Sequence, residues 1–149
     1  MSGFIITGKN GVIKIEFSEV FGFPKETSYL GGYDVKGKIN IQCGNFFVKD
    51  ADLWFSTGQV YQFFTRLQKC YKDLAGSVTF IDADNNFKME VYFNRLGQVK
   101  IQGFFQEVAH LENILQYQFE SEQSYLTSTI KELEEIVLYY GDMEGEKCW

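Results

Sequence analysis

The side chains able to do chemistry are few, and their spacing suits none of the common reactions. His110 is the only histidine of the chain and lies between Ala109 and Leu111, with Glu107 and Glu112 close by. A serine or cysteine triad needs an imidazole to take the nucleophile's proton. Here that imidazole falls in a predicted turn and reads as a surface histidine. Cys43, Cys70 and Cys148 form no C-x-x-C pair and lie far in sequence from His110, so a zinc site has no ligand set. Cys43 and Cys70 sit on apolar phases and read as reduced core residues, Cys148 as an exposed thiol in the tail. The pairs Asp50/Asp52 and Asp82/Asp84 are of a type that serves hydrolysis or oxygen-rich metal binding. The run Asp82-Ala-Asp-Asn-Asn86 opens like a calcium loop, but it lacks the central glycine and the closing bidentate glutamate, so a hairpin turn is the better reading. No G-x-x-x-x-G-K-[ST] occurs, and Gly31-Gly32 lies between strand-like segments, where turn flexibility explains it. The expectation is a chain with no catalytic residues, no metal and no cofactor.

Charge is more informative than motif. Residues 1–119 hold 12 Lys/Arg against 12 Asp/Glu and cancel. The net charge of −6 therefore sits in the last 30 residues, where eight carboxylates face Lys131 and Lys147. Such a field repels nucleic acid and attracts basic partners. Lys and Arg are otherwise scattered without a basic run, so nucleic-acid binding is not expected. The first ten residues lack the basic start and long apolar core of a signal peptide. No apolar stretch is long enough to span a membrane. With reduced cysteines, this points to the cytoplasm.

Hydropathy periods then supply the elements. Aromatics make up 17% of the chain and proline occurs once, at Pro24, which favours strands with few rigid loops. Alternation predicts strands at residues 12–17, 38–43 and, less cleanly one-sided, 46–55. From Val60 the period becomes helical (Val60, Phe63, Phe64, Leu67, Cys70, Tyr71, Leu74), with a Ser56/Gln59 capping box before it and Gly76 placed to stop it. Alternation returns over residues 87–94, 99–106 and 115–120, with turns at Asp84-Asn85-Asn86 and Leu96-Gly97. The last element is a helix carrying Ile130, Leu133, Ile136, Val137 and Tyr140, capped by Thr129 with Glu132 or by Ser128, and stopped by Gly141. Residues 142–149 read as a frayed tail. The approaches to the two helices share Phe55, Gln59 and Tyr61 with Phe119, Gln123 and Tyr125, which chance explains as well as duplication. The whole, residues 1–149, reads as one α+β domain: an antiparallel sheet of about seven or eight strands in two groups, each group followed by an amphipathic helix packing on the sheet.

Several strings resemble the WapI family of immunity proteins: Val20-Phe-Gly-Phe-Pro24, Gly31-Gly-Tyr-Asp-Val-Lys-Gly37, Trp54-Phe-Ser-Thr-Gly-Gln-Val-Tyr61, Leu67-Gln-Lys-Cys-Tyr71 and Leu96-Gly-Gln-Val99. Gly103-Phe-Phe-Gln106 and Glu122-Gln-Ser-Tyr125 fit as well. The resemblance spans essentially the whole chain and implies a small cytoplasmic antidote. Such an antidote binds the C-terminal effector domain, typically an RNA-directed nuclease, of a wall-associated bacterial toxin. It carries over no set of binding residues, so the contact is read from physics. A nuclease site is electropositive, and an acidic surface steers encounter with it while exposed aromatics add contact energy. The expected contact is therefore Glu120, Glu122, Glu132, Glu134, Glu135, Tyr139, Asp142 and Glu144. The rival face is polar-aromatic, around Trp54, Tyr92 and Phe104. The alternative function is a small apolar-ligand module, in which the Phe-rich dry face opens into a pocket.

Overall fold

A computed structural model describes residues 2–145. Eight strands and two helices follow in the order β1 (Gly3–Gly8), β2 (Gly11–Val20), β3 (Asp34–Cys43), β4 (Phe46–Ser56), α1 (Thr57–Asp73), β5 (Gly76–Ile81), β6 (Phe87–Phe93), β7 (Gln98–Gln106), β8 (Ile114–Glu122) and α2 (Gln123–Tyr140). The strands form two antiparallel four-stranded meanders, β1-β2-β3-β4 and β5-β6-β7-β8. Each meander is followed by a helix, which is the α+β architecture expected.

Alternation explains the strands residue by residue. In β2, Ile13, Ile15 and Phe17 are buried while Lys14 and Glu16 face out toward solvent. In β6, Phe87, Met89, Val91 and Phe93 form the buried phase. The imperfect alternation of β4 has a local cause. Its register against β3 shifts between Ile39 and Ile41, and Asp50 sits in the left-handed region with φ 50°. The extra residue of this bulge reverses the inward phase. Ala51, Leu53 and Phe55 are therefore buried, whereas Phe46 and Phe47 are both exposed.

One continuous core takes side chains from both sheets and both helices. Phe80 of β5 is its hub, with ring centroids 6.4 Å from Phe4 of β1, 6.0 Å from Phe55 of β4 and 5.6 Å from Phe63 of α1. The helices cross over. α1 follows the first sheet but packs along β5 of the second, and α2 follows the second sheet but packs along β1 of the first and against α1.

Several local expectations need correction. The Ser56/Gln59 box is present in both directions, at 3.1 and 2.9 Å. However, α1 ends on Leu74 in the left-handed conformation, and Gly76 already belongs to β5. α2 starts at Gln123, several residues before Thr129, and its N-cap Glu122 makes no side-chain cap bond. Buried residues at Leu126 and Thr129 carry its inward stripe back toward β8, so the helix needs no polar start signal. Gly141 does stop it, donating its amide to the Val137 carbonyl at 2.8 Å. Gln59 is the third residue of α1 and Gln123 the first of α2, so the shared Phe-Gln-Tyr spacing does not align the two helices. Cys43 and Cys70 lie at the margin of the core, half-buried, and are not interior residues. Cys148 lies outside the described residues.

Of the tail expected to fray, residues 142–145 make backbone contacts with the fold. Asp142 and Gly145 form a bridge, the Gly32 amide donates to the Met143 carbonyl at 2.7 Å, and Gly145 is buried. Residues 142–145 thus clamp the loop 21–33 onto the start of α1, where Thr57 donates its amide to Tyr33 and accepts one back from it.

Candidate functional site

The acidic residues expected to share one face are distributed over three places. Glu120 and Glu122 lie on the outer side of β8, in a groove of about 250 Å³ that also holds Tyr92, Lys9 and Lys100. Tyr92, Lys100 and Glu120 form a cross-strand row over β6, β7 and β8. The Lys100 ammonium sits 4.8 Å from the Tyr92 ring centre, and Lys9 pairs with Glu122 at 3.6 Å. Two lysines thus offset the two glutamates, and this groove is close to neutral.

Glu132 is engaged inside the fold. Its carboxylate accepts the Ile5 amide at 3.1 Å, and the Thr129 hydroxyl donates to the Ile5 carbonyl at 2.6 Å. β1 is the edge of its sheet, and these two side chains stand in for the missing neighbouring strand. The Thr129/Glu132 spacing does mark a pair of capping groups, but they cap a strand edge and not a helix.

The C-terminal end of α2 is different. Glu134 and Glu135 are exposed and form no ion pair among the described residues. The last turn has no basic residue, and Asp142 and Glu144 follow directly. Carboxylates near the negative end of a helix dipole are unfavourable for folding. Leu138 and Tyr139 stand one turn beyond Glu134 and Glu135, 78% and 59% exposed. Tyr139 is held by stacking on Phe23 of the 21–33 loop, with centroids 5.3 Å apart at 19°. Tyr140 faces inward against Phe17 and Phe23, and burial raises its phenol above the usual value.

The rival aromatic face divides in two. Trp54 projects from the first sheet, stacked on Phe21 and with Lys36 over its ring. Tyr92 and Phe104 project from the second sheet, both half-buried. The Tyr92 hydroxyl donates to Glu90, which lowers the Glu90 carboxyl and raises the Tyr92 phenol. Exposed Phe46 and Phe47, beside Ile114, were not singled out from the sequence. Their signal was the broken alternation over residues 46–48.

One carboxylate of each acidic pair weighed for chemistry, Asp82 and Asp52, has a structural partner. Asp82 is buried, and one oxygen accepts the Asn86 and Phe87 amides at 2.8 and 3.0 Å, closing the β5–β6 hairpin. Burial raises its carboxyl above the usual range despite those bonds. Asp52 pairs with Lys38, whose hydrogen bond lowers the carboxyl. Asp50 occupies the β4 bulge, with its amide donated to Asn40. His110 is exposed in the loop 107–113. Among the described residues no three His, Cys, Asp or Glu side chains converge as a metal-ligand set. No described helix is long and apolar enough to cross a membrane. The Phe-rich interior, where the ligand-module alternative places its pocket, holds its own rings packed around Phe80.

The Immunity protein WapI-like family matches residues 4–141, from the second residue of β1 to the glycine that stops α2. No curated protein and no solved structure matches the chain.

Proposed function

The chain belongs to the WapI-like immunity protein family, and from that membership we propose that it binds a cognate protein toxin and neutralises the toxin's C-terminal effector domain. The effector is a basic nuclease domain of a wall-associated toxin, and the antidote acts in the cytoplasm without catalysis of its own. The observation that carries this reading is the family match across nearly every element of the fold.

The contact we favour is the C-terminal end of α2, with Glu134, Glu135 and Tyr139 at its centre and Asp142 and Glu144 beside it. Support comes from Glu134 and Glu135, which are exposed and form no ion pair among the described residues, on a helix whose last turn carries no basic residue. An electropositive nuclease surface gains most from such a patch, first in encounter rate and then in affinity. Glu120 and Glu122 are offset by Lys9 and Lys100 and contribute less. Glu132 is tied to Ile5 and acts through the fold.

The test is co-purification of the chain with the C-terminal fragment of the large secreted toxin encoded beside it, followed by a nuclease assay. A stable complex with activity lost at equal stoichiometry supports the reading. A chain that leaves the fragment unbound and active overturns it.

A further inference from the structure

Tyr29 is the most exposed large hydrophobic side chain among the described residues, at 94%. The turn that carries it is nevertheless fixed. The Ser28 amide donates to the Gly32 carbonyl at 2.7 Å, and the Gly31 amide donates to the Ser28 carbonyl at 3.0 Å. The Ser28 hydroxyl accepts the Leu30 amide at 3.1 Å, and the Gly32 amide donates to the Met143 carbonyl. A ring held out to solvent on a rigid turn buries almost nothing within its own fold and loses little freedom on contact. Tyrosines so placed serve as interface anchors.

Beside Tyr29 lies a hollow of about 330 Å³, between the loop 21–33, the end of β4 and the β5–β6 hairpin. Trp54 forms one wall, and Phe21 stacks on its ring with centroids 6.0 Å apart. The hairpin is fastened to this wall, since the Ala83 amide donates to the Trp54 carbonyl at 2.8 Å. Asp34 and Asp84 bring two carboxylates to the hollow, and neither forms an ion pair among the described residues. Among those residues no lysine or arginine lines it. Lys36 stands at its margin, with the ammonium 5.8 Å from the Trp54 ring centre. Set against the two carboxylates, this one ammonium still leaves negative charge in excess. Lys36 also shows that the Trp54 ring accepts a cation.

We propose that this hollow binds an arginine side chain of the protein partner, with Asp34 and Asp84 accepting from the guanidinium and Tyr29 and Trp54 packing on it. This rests on the reading that the chain binds a basic effector domain. A guanidinium is planar, carries its donors in a fixed fork and stacks on aromatic rings. Two carboxylates beside a tyrosine and a tryptophan match it in both respects. An anionic ligand meets the aspartates unfavourably, and an apolar side chain would strip their water without replacing its hydrogen bonds. A second copy offers only Arg66 and Arg95, on a chain of net charge −6, so like charge opposes its approach. A basic domain brings the opposite field. The site also continues the contact favoured at the end of α2, because the loop that carries Tyr29 holds Phe23 against Tyr139.

Two measurements test the site. The first titrates N-acetyl-arginine amide into a Trp149→Phe chain, in which Trp54 is the only tryptophan. Trp54 fluorescence is expected to saturate with the arginine probe and to stay unchanged with N-acetyl-glycine amide. Asp34→Asn and Asp84→Asn are each expected to weaken the arginine response about tenfold or abolish it. The second measures the affinity of the full chain, and of Tyr29→Ala, Asp34→Asn and Asp84→Asn, for the toxin's C-terminal fragment, with the melting temperature of each. Every variant is expected to lose about tenfold or more in affinity while melting stays unchanged. Asp84 lies exposed in the hairpin turn, so Asp84→Asn carries the test should Asp34→Asn unfold the chain. If all three variants bind the fragment with full affinity, the site is wrong and the binding function stands. An equal response of Trp54 to the glycine and arginine probes also overturns the site. If the arginine probe binds and depends on the two aspartates, but the fragment is never captured, the site stands and the toxin reading fails. Self-association lost in Asp84→Asn, read by sedimentation, would give the site to a second copy and overturn its assignment to a foreign partner.

Discussion

Glu132 of α2 accepts the backbone amide of Ile5, so a carboxylate that the charge pattern assigned to an outward acidic face instead closes the edge of β1. With Thr129 on the Ile5 carbonyl, one turn of helix satisfies both outward groups of a strand residue. This relationship sets Glu132 apart from Glu134 and Glu135, which form no ion pair among the described residues, and the two groups respond differently to mutation.

Replacing Thr129 by Val keeps the shape and leaves the Ile5 carbonyl without its donor. Because Thr129 is fully buried, the expected cost is about 1–3 kcal/mol, read by urea denaturation. Glu132→Gln retains an acceptor oxygen and is expected to cost less than Glu132→Ala. An equal loss for the two Glu132 variants would mean that the bond to Ile5 contributes nothing.

Charge reversal of Glu134 and Glu135 to Lys is expected to leave urea stability unchanged or slightly raised, since it relieves carboxylates at the negative end of α2. Association with the effector fragment should slow by about tenfold at low salt and lose most of its salt dependence. Stopped-flow measurement at two ionic strengths reads this, and an unchanged rate would remove α2 from the contact.

Gly58→Ala is expected to destabilise, although alanine in a helix ordinarily gains about 1 kcal/mol over glycine. A Cβ there would stand 2.4 Å from the carbonyl carbon and oxygen of Gly31, which are backbone atoms fixed by the clamp of residues 142–145. Overpacking of this kind costs about 1–3 kcal/mol and outweighs the helical gain. A thermal melt decides the sign.

Asp82 gives the pH dependence a definite direction. Burial raises its folded carboxyl above the unfolded value, so the folded state binds the proton more tightly. Its contribution to stability is fully present below the unfolded value and is lost as pH rises through the folded one. Asp82→Asn keeps an acceptor for the Asn86 and Phe87 amides and should flatten this part of the profile. Denaturation across pH 3–7 compares the two chains. A variant with the same slope as the parent would assign that slope to other groups.

Much of the architecture was legible because it depends on local periods. Ile13, Ile15 and Phe17 in β2, or Phe87, Met89, Val91 and Phe93 in β6, declare a buried side whatever lies opposite them. The Ser56/Gln59 box is equally local, since both partners lie within one turn. By contrast β1, a short apolar run with a glycine at each end, gained its identity only by pairing with β2. The start of α2 was misplaced because Thr129 and Glu132 look like a cap from sequence.

Composition and periodicity therefore determined the class of fold, the −6 charge and its concentration in the C-terminal region, and the lack of a second histidine for proton transfer. Tertiary structure alone decided which carboxylates are free. Glu132 is taken up by Ile5, Glu120 and Glu122 lie beside Lys9 and Lys100, and Glu134 and Glu135 stay open. It also decided which strand edge stays bare. Side-chain periods report which face is buried, whereas edge coverage depends on which distant element packs alongside. The crossing of α1 to β5 and α2 to β1 left Ile114 and Gln116 without a neighbour.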